Sequence, residues 1–316
     1  MKKFVVEFII ITILSILGVV GINYIYLHCN RSESEIDKFA EMPETIEVCN
    51  VGSSHGKNSF LYDDYIDEIN CFNFGLTSQR YQYDYRLVKA YADRMDEGAI
   101  VFIPFSYFSL WGTPDEERDD FKSMNNRYYK ILPPELIMEY DPWVDVCEHY
   151  LPVLSAYDEL IDAIKDTLFG DGNNSTYNNE QIDFDKAVED AYKAQVLEYR
   201  NADGTRVLNN DRVEALEDLI ELCKKSNLKP ILITTPVLKE FHDVINERNP
   251  EFLEEFYEAV YEISERTDTE YWDYSMDSRI SGNKEYFIDA HHLNKDGAKL
   301  FTSIIFDEIK RLQYIE

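Results

Sequence analysis

The sequence predicts an α/β protein: a three-layer, doubly wound α/β/α domain on a central parallel five-stranded sheet, preceded by a transmembrane helix. Three observations carry this expectation. Short apolar runs without polar alternation recur along the chain, as strands buried on both faces require. Segments of helical periodicity separate them, and strand alternating with helix is the pattern of a parallel sheet with crossover helices. A 20-residue apolar stretch, Phe8–Leu27, stands near the start and is long enough to cross a bilayer.

Lys2 and Lys3 precede that stretch and an acidic region follows, so the positive-inside rule puts the N-terminus in the cytoplasm and the remainder outside. A cleaved signal peptide is the competing reading. Against it, the apolar run is long and ends in Asn23-Tyr24-Ile25-Tyr26-Leu27-His28-Cys29, with no small-x-small cleavage site. Bulky Leu27 and His28 also spoil a lipoprotein site at Cys29. The expected organisation is a cytoplasmic tip and signal anchor over 1–29, a polar stalk over 30–45, and an extracytoplasmic domain over 46–316. The expected localisation is a single-pass cell-membrane protein.

Within the domain the strand-like runs are Ile46–Val51, Cys71–Phe74, Ala99–Phe105, Pro230–Thr234 and Glu270–Tyr274. Between them, Tyr83–Met95 reads as a helix. Arg212–Lys225 places Val213, Leu216, Leu219, Ile220 and Cys223 on one face, with Asp211 and Glu214 as a capping box. Pro250–Glu265 opens with Asn249 as cap and Pro250 at the first helical position. Lys295–Leu312 presents Ala298, Phe301, Ile304, Ile305, Ile309 and Leu312, capped by Asn294. Over 110–210 the alternation lapses, and a mostly helical insertion is expected there, with Gly170–Gln181 as an exposed polar loop.

A chain of 316 residues with 45% hydrophobic and 14% aromatic residues is not disordered. Its formal charge of -30, without any Lys/Arg cluster, excludes a nucleic-acid partner, because phosphate binding needs such clusters. A solvated acidic surface is the simplest account of the carboxylates. The five cysteines (29, 49, 71, 147, 223) include no Cys-x-x-Cys, so no structural metal site is expected from them. Cys49, Cys71 and Cys223 read as small buried hydrophobes.

Two short stretches bear on chemistry. Asn50-Val51-Gly52-Ser53-Ser54-His55-Gly56 begins where the first strand stops, and Gly52 and Gly56 permit a tight turn that exposes a serine at the sheet edge. Asp289-Ala290-His291-His292 stands just before the last helix. A nucleophilic serine needs a base, and the base needs a carboxylate to hold its tautomer. Asp289 and His292 offer both from one turn. Alternatives remain for each stretch taken alone. Ser53 or Ser54 suits a helix cap, and the paired histidines with Asp289 suit a metal, although His28, His55, His149 and His242 form no matching cluster.

Together the stretches resemble the SGNH hydrolases, serine esterases and acyltransferases on a flavodoxin-like sheet; the resemblance spans Ile46–Leu312 apart from the insertion. Gly52-Ser53-Ser54 looks like the first block, which makes Ser54 the nucleophile. Asn73-Phe74-Gly75 looks like the second, whose glycine N–H would join that of Ser54 in the oxyanion hole. Asp289-x-x-His292 looks like the last, with His292 as base and Asp289 as its orienting partner. Leu293-Asn294-Lys295-Asp296-Gly297 also suits the family's entry into its last helix.

Two departures stand out. Ser53 replaces the usual Asp of the first block. Ile103-Pro104-Phe105-Ser106-Tyr107-Phe108-Ser109 stands where the family has Gly-x-Asn-Asp, so its asparagine donor is missing. One such donor contributes roughly 3 kcal/mol of transition-state stabilisation. Ser106 or Tyr107 would have to replace it, with Asn73 and His55 as further supporting residues. The aspartate-free first block and the anchor look like the family's membrane-anchored branch. That branch includes the D-type protein of teichoic-acid D-alanylation and the polysaccharide O-acetyltransferases.

The resemblance implies no cofactor. It implies an acyl donor, an envelope polysaccharide or teichoic acid as acceptor, and a membrane-bound O-acyltransferase as partner. A non-catalytic scaffold docking onto that acyltransferase is the alternative. Tyr107, Trp111, Tyr128 and Trp143 would either line a sugar groove or fill the core of the insertion.

Overall fold

The computed structural model describes residues 2–28, 34–112, 124–154, 182–198 and 208–315. Cys29, the start of the stalk and the Gly170–Gln181 loop lie outside the described residues. The chain falls into two compact units, Met1–Ala40 with Asp120–Glu180, and Glu41–Asp119 with Gln181–Glu316. The helices are α1 (Lys2–His28), α2 (Ser54–Ser59), α3 (Tyr81–Tyr91), α4 (Pro142–Tyr150), α5 (Phe184–Tyr192), α6 (Asn210–Lys225), α7 (Lys239–Arg248), α8 (Pro250–Thr267) and α9 (Lys295–Arg311).

In the first unit, Lys3–Tyr26 of α1 forms 24 residues long and apolar enough to span a membrane or to serve as a signal sequence. Near its C-terminal end Asn23 Nδ2 donates to the Tyr150 carbonyl across 3.1 Å. The α4 helix starts from Asp141, whose carboxylate accepts from the Trp143 N–H at 2.7 Å, a Pro-at-first-position start with an acidic cap. Three-ten turns over Asn126–Lys130, Pro134–Leu136 and Pro152–Leu154 flank it.

The second unit is the expected sheet. Strands β1 (Ile46–Asn50), β2 (Cys71–Asn73), β3 (Met95–Pro104), β4 (Lys229–Thr234) and β5 (Glu270–Asp273) pair in parallel in the order β2-β1-β3-β4-β5. This is the flavodoxin-like doubly wound order. Ile46, Val48, Cys49, Ile100–Ile103 and Ile231–Ile233 are sealed on both faces, which is why they read as continuous apolar runs. Cys49, Cys71, Cys147 and Cys223 are free and buried, and burial pushes the Cys223 thiol up to about 12.

Four local expectations are corrected. The third helix ends at Tyr91 and continues as a three-ten turn, Ala92–Arg94, while Met95 begins β3 and pairs with Ile46. The polar residues Asp96 and Glu97 imitate a helix end because that part of the strand is exposed ahead of the buried sheet. The α6 helix is capped two residues earlier than expected, by Asn209 accepting from the Arg212 N–H, and not by an Asp211–Glu214 box. Asn249 stands at the N-cap of α8 without making a capping bond; its side-chain oxygen accepts from the Tyr192 hydroxyl instead. The helix α7 has no counterpart in the pattern reading. Asn294 caps α9 as expected, accepting from the Gly297 N–H at 3.0 Å.

Candidate active site

Everything converges at the C-terminal edge of the sheet where β1 gives way to β3. The strand order reverses there, and a crevice opens because the two crossovers leave on opposite faces. Gly52 follows β1 in the left-handed region at φ +105, and a Cβ on it would press on the Pro104 ring at 3.0 Å. Gly56 lies against the same wall, where a Cβ would meet the Val51 carbonyl oxygen at 2.1 Å. Both glycines let the chain fold back hard enough to start α2 at Ser54. Ser53 occupies the cap position of α2, but its side chain makes no capping bond. The cap reading is therefore not realised by Ser53.

The structure brings Ser54, His292 and Asp289 together from 238 positions apart. Ser54 Oγ lies 2.8 Å from His292 Nε2, and His292 Nδ1 lies 2.7 Å from Asp289 Oδ2. The other carboxylate oxygen, Oδ1, accepts the backbone N–H groups of His291 and His292, each at 2.8 Å. Burial alone would raise the Asp289 carboxyl. The His292 hydrogen bond, the two imidazoles and the His291 N–H together outweigh it and hold the group well below the usual carboxylate range. An ionised Asp289 requires the His292 proton on Nδ1, which leaves Nε2 as acceptor for the Ser54 hydroxyl. The loop is closed by Ile288 N–H donating to the His292 carbonyl at 3.0 Å and by Leu238 N–H to the Ala290 carbonyl at 2.9 Å.

A second relay runs behind the first. Ser106 Oγ lies 2.9 Å from His55 Nδ1, and His55 Nε2 lies 2.8 Å from His291 Nδ1. The His55 ring stands edge-on to His292 at 5.0 Å. Burial first, then the neighbouring imidazoles, lower the His55 pKa well below its ordinary value and that of His291 to about 3. Both rings are neutral bracing. Against the expectation that His55 joins no cluster, His55, His291 and His292 form one group among the described residues able to hold a metal, with ligand atoms within 4.8 Å of one another, because the fold rather than sequence spacing brings His55 to the paired histidines. The serine and aspartate contacts already engage both nitrogens of His292.

Several expected supporting residues take other roles. Gly75 N–H, expected in the oxyanion hole, donates to Asn73 Oδ1 at 2.8 Å. Gly75 is packed so closely that a Cβ would lie 2.5 Å from the Lys57 nitrogen. Asn73 is a staple for α2: its Nδ2 donates to the Lys57 and Phe60 carbonyls at 3.0 and 2.9 Å. Ser106 is committed to His55, and the Tyr107 hydroxyl pairs with His242 Nδ1 at 2.8 Å, so neither replaces the missing asparagine. Tyr107, Trp111 and Tyr128 are buried and only Trp143 is exposed, which corrects the sugar-groove alternative in favour of core packing for those three.

Sequence reasoning missed the pocket beside Ser54, a cavity of about 180 Å³ whose walls include Ser78, Arg80, Asp84, Phe108 and Arg212. Ser78 holds a left-handed φ of +55. Asp84 Oδ1 accepts from the Gly52 N–H at 2.8 Å and from Gln79 Nε2 at 2.6 Å. These residues are isolated in sequence and follow no spacing rule, so no motif could have found them.

No family model and no curated protein matches the chain. Among solved structures, it is similar to a GDSL-like lipase from Bacteroides thetaiotaomicron. That match has 12% identity and a TM-score of 0.41, over 87% of this chain and 95% of the other. It is also similar to the psychrotrophic esterase EstA from Pseudoalteromonas sp. Here identity is 11% and the TM-score 0.39, over 85% of this chain and 100% of the other.

Proposed function

We propose that the protein is a serine acyltransferase or esterase acting outside the membrane on acyl groups of cell-envelope glycopolymers. The observation that carries the reading is the unbroken relay from Ser54 Oγ through His292 to Asp289, at 2.8 and 2.7 Å, on an accessible crevice of the sheet. Ser54 Oγ attacks the acyl carbonyl while its proton passes to His292 Nε2. His292 then gives that proton to the leaving group, and an acyl-serine results. A polymer hydroxyl or water next surrenders its proton to His292 and takes the acyl group, and Ser54 regains its proton. In this reading the oxyanion is held by the backbone N–H of Ser54.

The apolar helix over Lys3–Tyr26, with Lys2 and Lys3 at its N-terminal end, supports a single-pass anchor with the site on the far side. A membrane-bound O-acyltransferase would deliver the acyl group. The scaffold alternative is disfavoured by a fully formed relay, which docking alone does not require.

A fluorophosphonate probe applied to the detergent-solubilised full chain tests the assignment. Wild type should label and Ser54→Ala should not. Equal labelling of the two would overturn Ser54 as nucleophile, and absence of labelling in both would favour the scaffold.

A further inference from the structure

The chain carries 61 acidic against 31 basic residues, yet the pocket beside Ser54 reverses that balance. Two of its wall residues are arginines, Arg80 and Arg212, and its one acid is Asp84. Arg212 is buried to 7% exposure and is oriented by a hydrogen bond from its Nη1 to the Trp111 carbonyl at 2.6 Å. A guanidinium held inside a protein wall is costly to desolvate, and its planar fork suits carboxylate and phosphate oxygens. Packing alone gives little reason to set a second arginine on the same wall.

The backbone adds to the same field. Arg80 is the N-cap of α3 and Arg212 lies in the first turn of α6. These two helices pack against each other, and both present their positive ends here. Asp84 does not oppose an anion strongly. Burial pushes its carboxyl up to about 7, and its Oδ1 is already held by Gly52 and Gln79. Its Oδ2 is buried without a hydrogen-bond partner among the described residues. An atom at that depth lacks a donor or acceptor that a ligand oxygen can supply.

We propose that this pocket is an anion subsite in which Arg80 and Arg212 grip a phosphate or carboxylate carried by the substrate next to its reacting acyl or hydroxyl group. The proposal deepens the reading of Ser54 as nucleophile and names the substrate class: an anionic ester or an anionic alcohol. Asp84 Oδ2 then meets either the anion, through its own proton, or a neighbouring hydroxyl. A cavity of about 180 Å³ has room for several water-sized groups, enough for one small headgroup beside Ser54.

The test separates this subsite from the chemistry by using the full-chain Ser54→Ala variant, which binds without turning over. Calorimetry would compare glycerol 1-phosphate, lactate and glycerol in detergent. At least one anion should bind about ten-fold or more tightly than glycerol, and Arg80→Gln should erase most of that preference. A preference for glycerol 1-phosphate identifies phosphate as the partner, and one for lactate identifies carboxylate. Arg212→Gln should act in the same direction. Because Arg212 also braces Trp111, Arg80→Gln with an unchanged melting temperature is the deciding variant. Equal binding of all three ligands, or an anion affinity indifferent to Arg80→Gln, would overturn the subsite while leaving the labelling of Ser54 untouched.

Discussion

Gly52 donates its backbone N–H to Asp84 Oδ1 across 2.8 Å, so the turn carrying Ser54 rests on a carboxyl group that is almost completely buried. Burial raises that carboxyl from 3.8 to about 7, although the Gly52 and Gln79 hydrogen bonds pull it back in part. The folded protein therefore keeps this proton longer than the unfolded chain does. The group's contribution is fully present below about pH 4 and is lost as pH rises through about 7. Asp84→Asn retains an oxygen acceptor for Gly52 and cannot ionise. Its melting temperature relative to wild type should climb steadily from pH 4 to pH 8 in scanning calorimetry. A constant offset would rule this account out.

Asp289 is held ionised and fixes the His292 tautomer. Asp289→Asn keeps the size but presents a donor or a neutral acceptor to Nδ1, and the base then faces Ser54 wrongly. Turnover of p-nitrophenyl acetate should fall by about 10³–10⁴-fold, chiefly in kcat. A loss under ten-fold would remove Asp289 from the mechanism.

His55 makes two side-chain contacts, to Ser106 and His291, at 2% exposure. His55→Leu leaves both partners unsatisfied in a buried site and should destabilise the fold by about 2 kcal/mol. Ser106→Ala breaks one of the two and should cost about 1 kcal/mol. Urea unfolding of both variants gives the comparison, and the reverse ranking would contradict the relay.

Gly56→Ala places a methyl group 2.1 Å from the Val51 carbonyl, a backbone atom that cannot swing aside. The α2 helix must shift, so stability should drop by about 1–3 kcal/mol and fluorophosphonate labelling should slow. Gly282, with nothing near its virtual Cβ, is the control: Gly282→Ala should stay within about 0.5 kcal/mol.

The sheet was legible because parallel strands sealed on both faces leave an unbroken apolar run, as in Ile46–Val51 and Pro230–Thr234. Legibility failed where a strand begins outside that seal, at Met95–Gly98, and where a short helix has mixed faces and an uncapped start, at Lys239–Arg248. The convergence of Ser54, Asp289 and His292 could be read because each stands in a short local motif. Ser78, Arg80, Asp84 and Arg212 could not, since each is a single residue at a turn or helix end. They come to one wall only when two crossovers, β2–β3 and β3–β4, are folded. Gly75 illustrates the converse: a motif match suggested a donor, but close packing on Lys57 gives its N–H to Asn73.

Ser54 follows the first strand, whereas Asp289 and His292 precede the last helix. A growing chain thus presents its serine long before anything can activate it. Until the Asp289–His292 turn has emerged and docked through Leu238 and Ala290, the hydroxyl remains an ordinary alcohol. Synthesis through His292 is consequently complete before the Ser54–His292 contact can form, and a chain cut short anywhere between the two segments lacks that contact.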